Sequence, residues 1–165
     1  ETARNEEQYL QAISGKTAAL YATSCRIGGI VGGAERAVID QLTEFGHAYG
    51  MAFQVVDDIL DLVATDEELG KPSGNDLREG VYTLPVIRMI ASGDPVRELL
   101  GNPLDEETRV RARAAVVGGP EIATSVATAQ SFVDKALSTL QDLPATTGVQ
   151  GMRDAATNLL SALNR

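Results

Sequence analysis

Three carboxylates fall within five residues of one another: Asp57, Asp58 and Asp61 in the run Asp-Asp-Ile-Leu-Asp. On a helix, Asp57 and Asp61 lie one turn apart on a shared face, with Asp58 rotated toward the neighbouring one. Gln54 sits a turn before Asp57 and Gly50 a turn before that, so Gly50, Gln54, Asp57 and Asp61 form a polar line. Like charges a turn apart disfavour a helix by roughly 0.2 to 0.5 kcal/mol in water, and burial raises that cost steeply. Val55, Val56, Ile59, Leu60, Leu62 and Val63 surround these acids with apolar side chains, which predicts a largely buried segment and therefore a cation in the groove. Oxygen donors without imidazole or thiolate suit a hard ion, and magnesium, which keeps some waters and also binds phosphate oxygens, fits best. His47 and Cys25 stand alone in the sequence, which argues against zinc. The acids lie on a helical pattern and not in an Asp-x-Asp-x-Asp-Gly loop, so an EF-hand is excluded. Acidic clusters are more often a solvated helix face, and only the apolar surroundings reverse that preference here.

The element that must carry these acids is a long helix, expected over Glu35 to Ala64. Leu42, Phe45, Tyr49, Phe53, Val56 and Leu60 step by three or four residues and form a continuous apolar stripe. Before it, helices are expected from Glu6 to Ser14 and from Lys16 past Arg26, with a break near Gly32 and Gly33. The cluster Gly28, Gly29, Gly32 and Gly33 suits equally a helix end or a close approach of two helices. After it, Thr65 to Val81 is rich in Gly, Asp, Glu, Lys and Pro and reads as a functional loop without regular structure. Thr83 can cap a helix that admits Pro85 in its first turn and runs to Ala91. Further helices are expected at Pro95 to Leu100, Glu106 to Val117, Glu121 to Leu140 and Val149 to Leu163. No alternating strand or hairpin signal stands out.

The 165 residues, 44% of them apolar and only 4% aromatic, suffice for one hydrophobic core of small aliphatic side chains, a composition that favours packed helices. A single helical unit over residues 1–165, all-α and built as a bundle of antiparallel helices around a central cleft, is the expectation. The net charge of −9 repels nucleic acid and acidic headgroups, so a phosphorylated ligand needs metal ions or local cations. A lone cysteine and the lack of an apolar leader or a convincing membrane span suit a cytoplasmic protein.

The extended string Phe53-Gln54-Val55-Val56-Asp57-Asp58-Ile59-Leu60-Asp61, followed by Leu69-Gly70-Lys71-Pro72 and Gly74-Asn75-Asp76-Leu77, resembles the second aspartate-rich region of trans-isoprenyl diphosphate synthases. Upstream, Tyr9-Leu10 and Lys16-Thr17-Ala18 are similar to that family's lysine-threonine motif, and Thr83-Leu84-Pro85 also fits its order. The resemblance covers Tyr9 to Ile90; the part from Ala91 onward carries no specific motif. It implies the isoprenoid synthase fold, with this chain as its C-terminal part. It also implies magnesium held by Asp57 and Asp61 with Asp58 beside them, and diphosphate contacts at Lys71 and Asp76. Lys16, Thr17 and Gln54 would line the space where the diphosphate leaves and an allylic cation forms.

The activity so implied is transfer of an allylic prenyl group onto isopentenyl diphosphate by a helical homodimer, with no nucleic acid involved. The family's first aspartate-rich region and basic homoallylic site are not found in these residues, so the isolated chain is expected to be inactive. Val81 stands where many members carry a second lysine. Two other classes remain open at this point: a non-catalytic partner subunit of a heteromeric synthase, and a helical interaction module with incidental acids.

Overall fold

The computed structural model describes residues 4–65, 67, 70, 73–101 and 104–164, and among them the chain is helical without a strand, as the periodicity predicts. Asn5 starts α1 (Glu6–Ile13) with a reciprocal cap: its side chain accepts from the Gln8 amide at 2.8 Å, and the Gln8 side chain accepts from the Asn5 amide at 3.0 Å. α1 leads straight into one π-helical turn, Ser14–Ala18, and that into α2 (Ala19–Val31). The π turn was not foreseen, because an extra residue inside a helical turn leaves the hydrophobic period nearly unchanged. α2 ends as expected. Gly33 adopts φ +69, and the Gly33 and Ala34 amides return to the Ile30 and Gly29 carbonyls at 3.1 and 3.0 Å, closing the end with a left-handed cap.

α3 (Arg36–Val63) is the long helix expected over these residues, about 42 Å at the usual rise. Its buried line runs through Phe45, Ala48, Ala52, Val55, Ile59 and Leu62. That corrects the predicted stripe at Phe53, which is 38% exposed, because small alanines take the positions of closest approach. The stretch 65–81 is not wholly irregular. α4 (Asn75–Arg78) forms one turn there, anchored by the fully buried Leu77. α5 (Leu84–Ala91) carries Pro85 in its first turn as predicted, but the Thr83 side chain makes no capping hydrogen bond and is buried instead. A 3-10 segment (Pro95–Leu99) follows, then α6 (Glu106–Gly118), α7 (Glu121–Thr139), α8 (Thr147–Asn158) and a 3-10 tail (Leu159–Asn164).

The chain divides into two compact units. The first comprises residues 1–9 and 57–126, and its core gathers Leu62, Leu77, Val86, Met89, Val96 and Val116. The second comprises residues 10–56 and 127–165, with Phe45, Ala48, Ala52, Val133, Ala136 and Leu140 at its centre. In the second unit α3 lies almost directly against α2. A Cβ built on Gly46 would stand 2.5 Å from the Tyr21 carbonyl oxygen, and one on Gly50 2.7 Å from the Ala18 Cα. No helix among the described residues is long and apolar enough to cross a membrane.

Candidate functional site

In the first unit, the last two turns of α3 present the acids, and the structure separates their surroundings. The end is largely buried, as expected, with Asp58 and Asp61 at 6% and 4% exposure, but Asp57 is exposed. The Tyr9 hydroxyl, on a fully buried ring, donates to Asp58 Oδ2 at 2.6 Å. Burial, and then the Asp58 carboxylate beside it, hold the Tyr9 phenol far above its usual range, so it stays protonated and acts as a permanent donor. Arg4 stacks over the same ring with its guanidinium carbon 5.3 Å from the centroid.

Asp61 Oδ2 accepts from the Asp76 amide at 3.2 Å, and the Asp61 carbonyl accepts from the Gly74 amide at 2.6 Å. The segment Gly74-Asn75-Asp76 is thus tied to the acidic helix by backbone groups, and Asp76 enters the site through its N–H. Gly74 makes the turn with φ +69, a conformation that side chains disfavour. Lys71, with Leu69 and Pro72, lies outside the described residues. Val81 is 41% exposed.

The second unit holds the other predicted residues. Lys16 is exposed on the π turn, and Thr17 Oγ1 donates to Gln54 Oε1 at 2.6 Å. Gln54 is 8% exposed. Single π turns occur often at functional sites, and this one coincides with the Lys-Thr pair. A second tether joins the same stretch to α3, Ser14 Oγ lying 2.9 Å from His47 Nε2. Gly50 does not line a groove: the Ala18 backbone at the end of the π turn and the Tyr21 side chain fill the space above it.

Among the described residues no three His, Cys, Asp or Glu side chains are gathered to enclose a metal ion. The donors present fit magnesium in another way. Asp57 and Asp61 offer carboxylate oxygens one turn apart, suited to an ion that keeps waters and takes its remaining ligands from phosphate.

Sequence reasoning passed over Tyr9 as an acid-holding donor, and Arg109 and Arg113 on α6. Arg113 donates to the Leu62 carbonyl at 2.6 Å and to the Ala64 carbonyl at 3.0 Å, and Arg109 donates to the Ser73 carbonyl. A signal existed in the i, i+4 spacing of these arginines, in register with the buried Ala112 and Val116.

A long helix that buries acids near its C-terminal end, in an all-helical chain, defines the class, and comparison with known proteins gives the family. Residues 1–117 match the model of the polyprenyl synthetase family, and the chain belongs to it. It is 40% identical over 152 residues to heptaprenyl diphosphate synthase component 2 of Geobacillus stearothermophilus, covering 90% of this chain and 47% of that protein. Geranylgeranyl diphosphate synthase of Saccharolobus solfataricus is 35% identical, with 84% and 43% covered. Among solved structures, heptaprenyl diphosphate synthase from Staphylococcus aureus superposes with a TM-score of 0.89 at 27% identity, covering 96% of this chain and 51% of that one. Polyprenyl synthase from Caulobacter crescentus, complexed with calcium and isoprenyl diphosphate, gives 0.88 at 32% identity, with 95% and 50% covered. The fold is therefore the all-α isoprenoid synthase fold, and the chain spans about half the length of these relatives.

Proposed function

We propose that this chain serves a trans-prenyltransferase that elongates an allylic prenyl diphosphate with isopentenyl diphosphate, and that its part is to hold and release the allylic diphosphate. The observation that carries this reading is the graded environment of the acids. Asp58 is locked by Tyr9, Asp61 is held by two backbone amides, and Asp57 is exposed at the surface of the same helix end. Asp57 and Asp61, with Asp58 beside them, are the residues that would hold magnesium. When bound, magnesium would neutralise the diphosphate as its carbon–oxygen bond breaks. Tyr9 keeps Asp58 from turning away and keeps its charge satisfied in a buried place. Lys16, exposed on its turn, and the hydrogen-bonded Thr17 and Gln54 would line the space where the diphosphate leaves and an allylic cation forms. Lys71 and Asp76 are assigned to the same diphosphate. The aliphatic side chains around these groups offer no nucleophile to quench an allylic cation.

The first aspartate-rich region is not found in this sequence, so elongation requires a polypeptide that supplies it. The other reading, a non-catalytic partner subunit, is favoured by one observation: a relative at 40% identity is named as a component of its synthase. A homodimer remains the assembly we propose, and a cytoplasmic setting suits the free, half-buried thiol of Cys25.

Calorimetric titration with magnesium and a nonhydrolysable allylic diphosphate tests the site. Asp57→Ala and Asp61→Ala should each weaken binding about tenfold or more, in line with the loss of a buried or charge-assisted partner. Unchanged affinity in both would remove the metal-site reading. An elongation assay on the chain mixed with a complementing polypeptide separates the two roles, since Asp57→Ala abolishes turnover only if these acids are catalytic.

A further inference from the structure

We propose that Arg109 and Arg113 of α6 are positioning residues for the carboxylate site, clamping the two backbone segments that converge on Asp61. The inference rests on the diphosphate reading above for its functional meaning, and on hydrogen bonds within the first unit for its geometry.

Asp57, Asp58 and Asp61 occupy the last turns of α3, which is the wrong end of a helix for acids. The final carbonyls there have no partners within the helix and carry the negative end of its dipole. Three carboxylates added to that end repel it and one another. Arg113 answers the helix directly, donating through Nε to the Leu62 carbonyl at 2.6 Å and through Nη2 to the Ala64 carbonyl at 3.0 Å. One planar guanidinium thus spans two terminal carbonyls, a geometry that a single ammonium cannot reproduce.

Arg109, one turn earlier on the same face and 6% exposed, donates to the Ser73 carbonyl. Ser73 is followed by Gly74, whose amide reaches the Asp61 carbonyl at 2.6 Å, and Asp76 then gives its amide to Asp61 Oδ2 at 3.2 Å. Space around the turn is tight: a Cβ on Gly74 would come 3.3 Å from Arg113 Cδ and 3.4 Å from Arg109 Nη1. The two arginines therefore set the end of α3 and the Gly74–Asp76 turn in one register, and that register fixes the Asp61 carboxylate. They lie within the residues that match the family model but beyond the motifs that carry the resemblance.

Amide hydrogen exchange on the free chain and magnesium-dependent binding of inorganic pyrophosphate together test the clamp, in wild type, Arg113→Met and Arg113→Lys. Expected are exchange at the Gly74 and Asp76 amides at least tenfold faster in both variants, core amides of Val86 and Val116 unchanged, and pyrophosphate binding about tenfold weaker. If the arginine acted by charge alone, lysine would restore wild-type behaviour and methionine would tighten magnesium binding, and either result overturns the proposal. If its role were only to stabilise the fold, all amides would accelerate together, which also overturns it. Should Arg113→Met fail to fold, Arg113→Lys carries the test. A wild-type chain that ignores magnesium pyrophosphate, with the exchange pattern as expected, sinks the diphosphate reading and leaves the clamp standing.

Discussion

The acidic end of α3 and the Lys16–Thr17 turn are both candidate parts of one chemistry, yet the chain holds them by opposite means. The acids are positioned from far away in sequence: Tyr9 reaches Asp58, Asp76 and Gly74 reach Asp61, and Arg113 reaches the helix end. The lysine turn is shaped within its own helix by the π geometry and pinned by the close crossing of α2 and α3, with Thr17–Gln54 as its polar tether. Buried carboxylates need several compensating donors, which a single helix cannot supply. An exposed ammonium needs only a stiff platform. The first region should therefore be sensitive to loss of hydrogen bonds, and the second to changes of volume.

Gly46→Ala breaks the second region most severely. Its added methyl would lie 2.5 to 2.8 Å from the Tyr21 carbonyl and the Ala22 Cα, both backbone atoms that cannot rotate away. We expect a loss of about 3 kcal/mol in urea unfolding, the upper range for overpacking. Gly28→Ala, where the space above Cα is open, is the matched control, and a Gly46→Ala loss no larger than that control's would refute the volume half of the comparison. In the first region, Tyr9→Phe keeps the ring and removes only the O–H, leaving the buried Asp58 carboxylate short of a donor. The expected cost is about 2 kcal/mol, measured the same way. A result near zero would mean that Asp58 finds equal support elsewhere and that the acids are not held by remote donors.

The same contrast explains what could be read from sequence. Helix limits were legible because their causes are local: the Gly32–Gly33 break, which the left-handed Gly33 realises, and the apolar period of α3. The acidic motif and its neighbours were legible as residue types. Their individual exposure was not, because periodicity places Asp57 and Asp61 on one face without saying what covers each. Leu77 gave too short an apolar signal to mark α4, although burial among Leu62, Val86 and Val116 fixes that turn. The i, i+4 spacing of Arg109 and Arg113 is visible in the sequence, but only the backbone carbonyls they meet give them a role.

The smallest expected effect belongs to the ion pair that fastens the start of α1 within the first unit. Arg88 donates to Glu6 through Nε at 3.1 Å and Nη2 at 2.5 Å, and that hydrogen bonding, opposed by partial burial, pulls the Glu6 carboxyl below its ordinary 4.5. A carboxyl with a lowered folded-state value adds stability above its unfolded value, and the contribution disappears as pH falls through the folded value. The Glu6 side chain is 42% exposed, so solvent screening limits the pair to about 0.5 kcal/mol. Glu6→Gln should therefore be less stable than wild type by that amount at pH 7, and the two unfolding curves should converge as pH falls below the ordinary carboxyl value and through the lowered folded one. Because α1 also carries Tyr9, the first region predicts more than a stability change: loosening Glu6 should weaken the Tyr9–Asp58 contact and quicken exchange at the Tyr9 amide, which donates to the Asn5 carbonyl at 3.0 Å. Stability curves that stay parallel down to pH 3 would show that Arg88 does not hold this helix by charge.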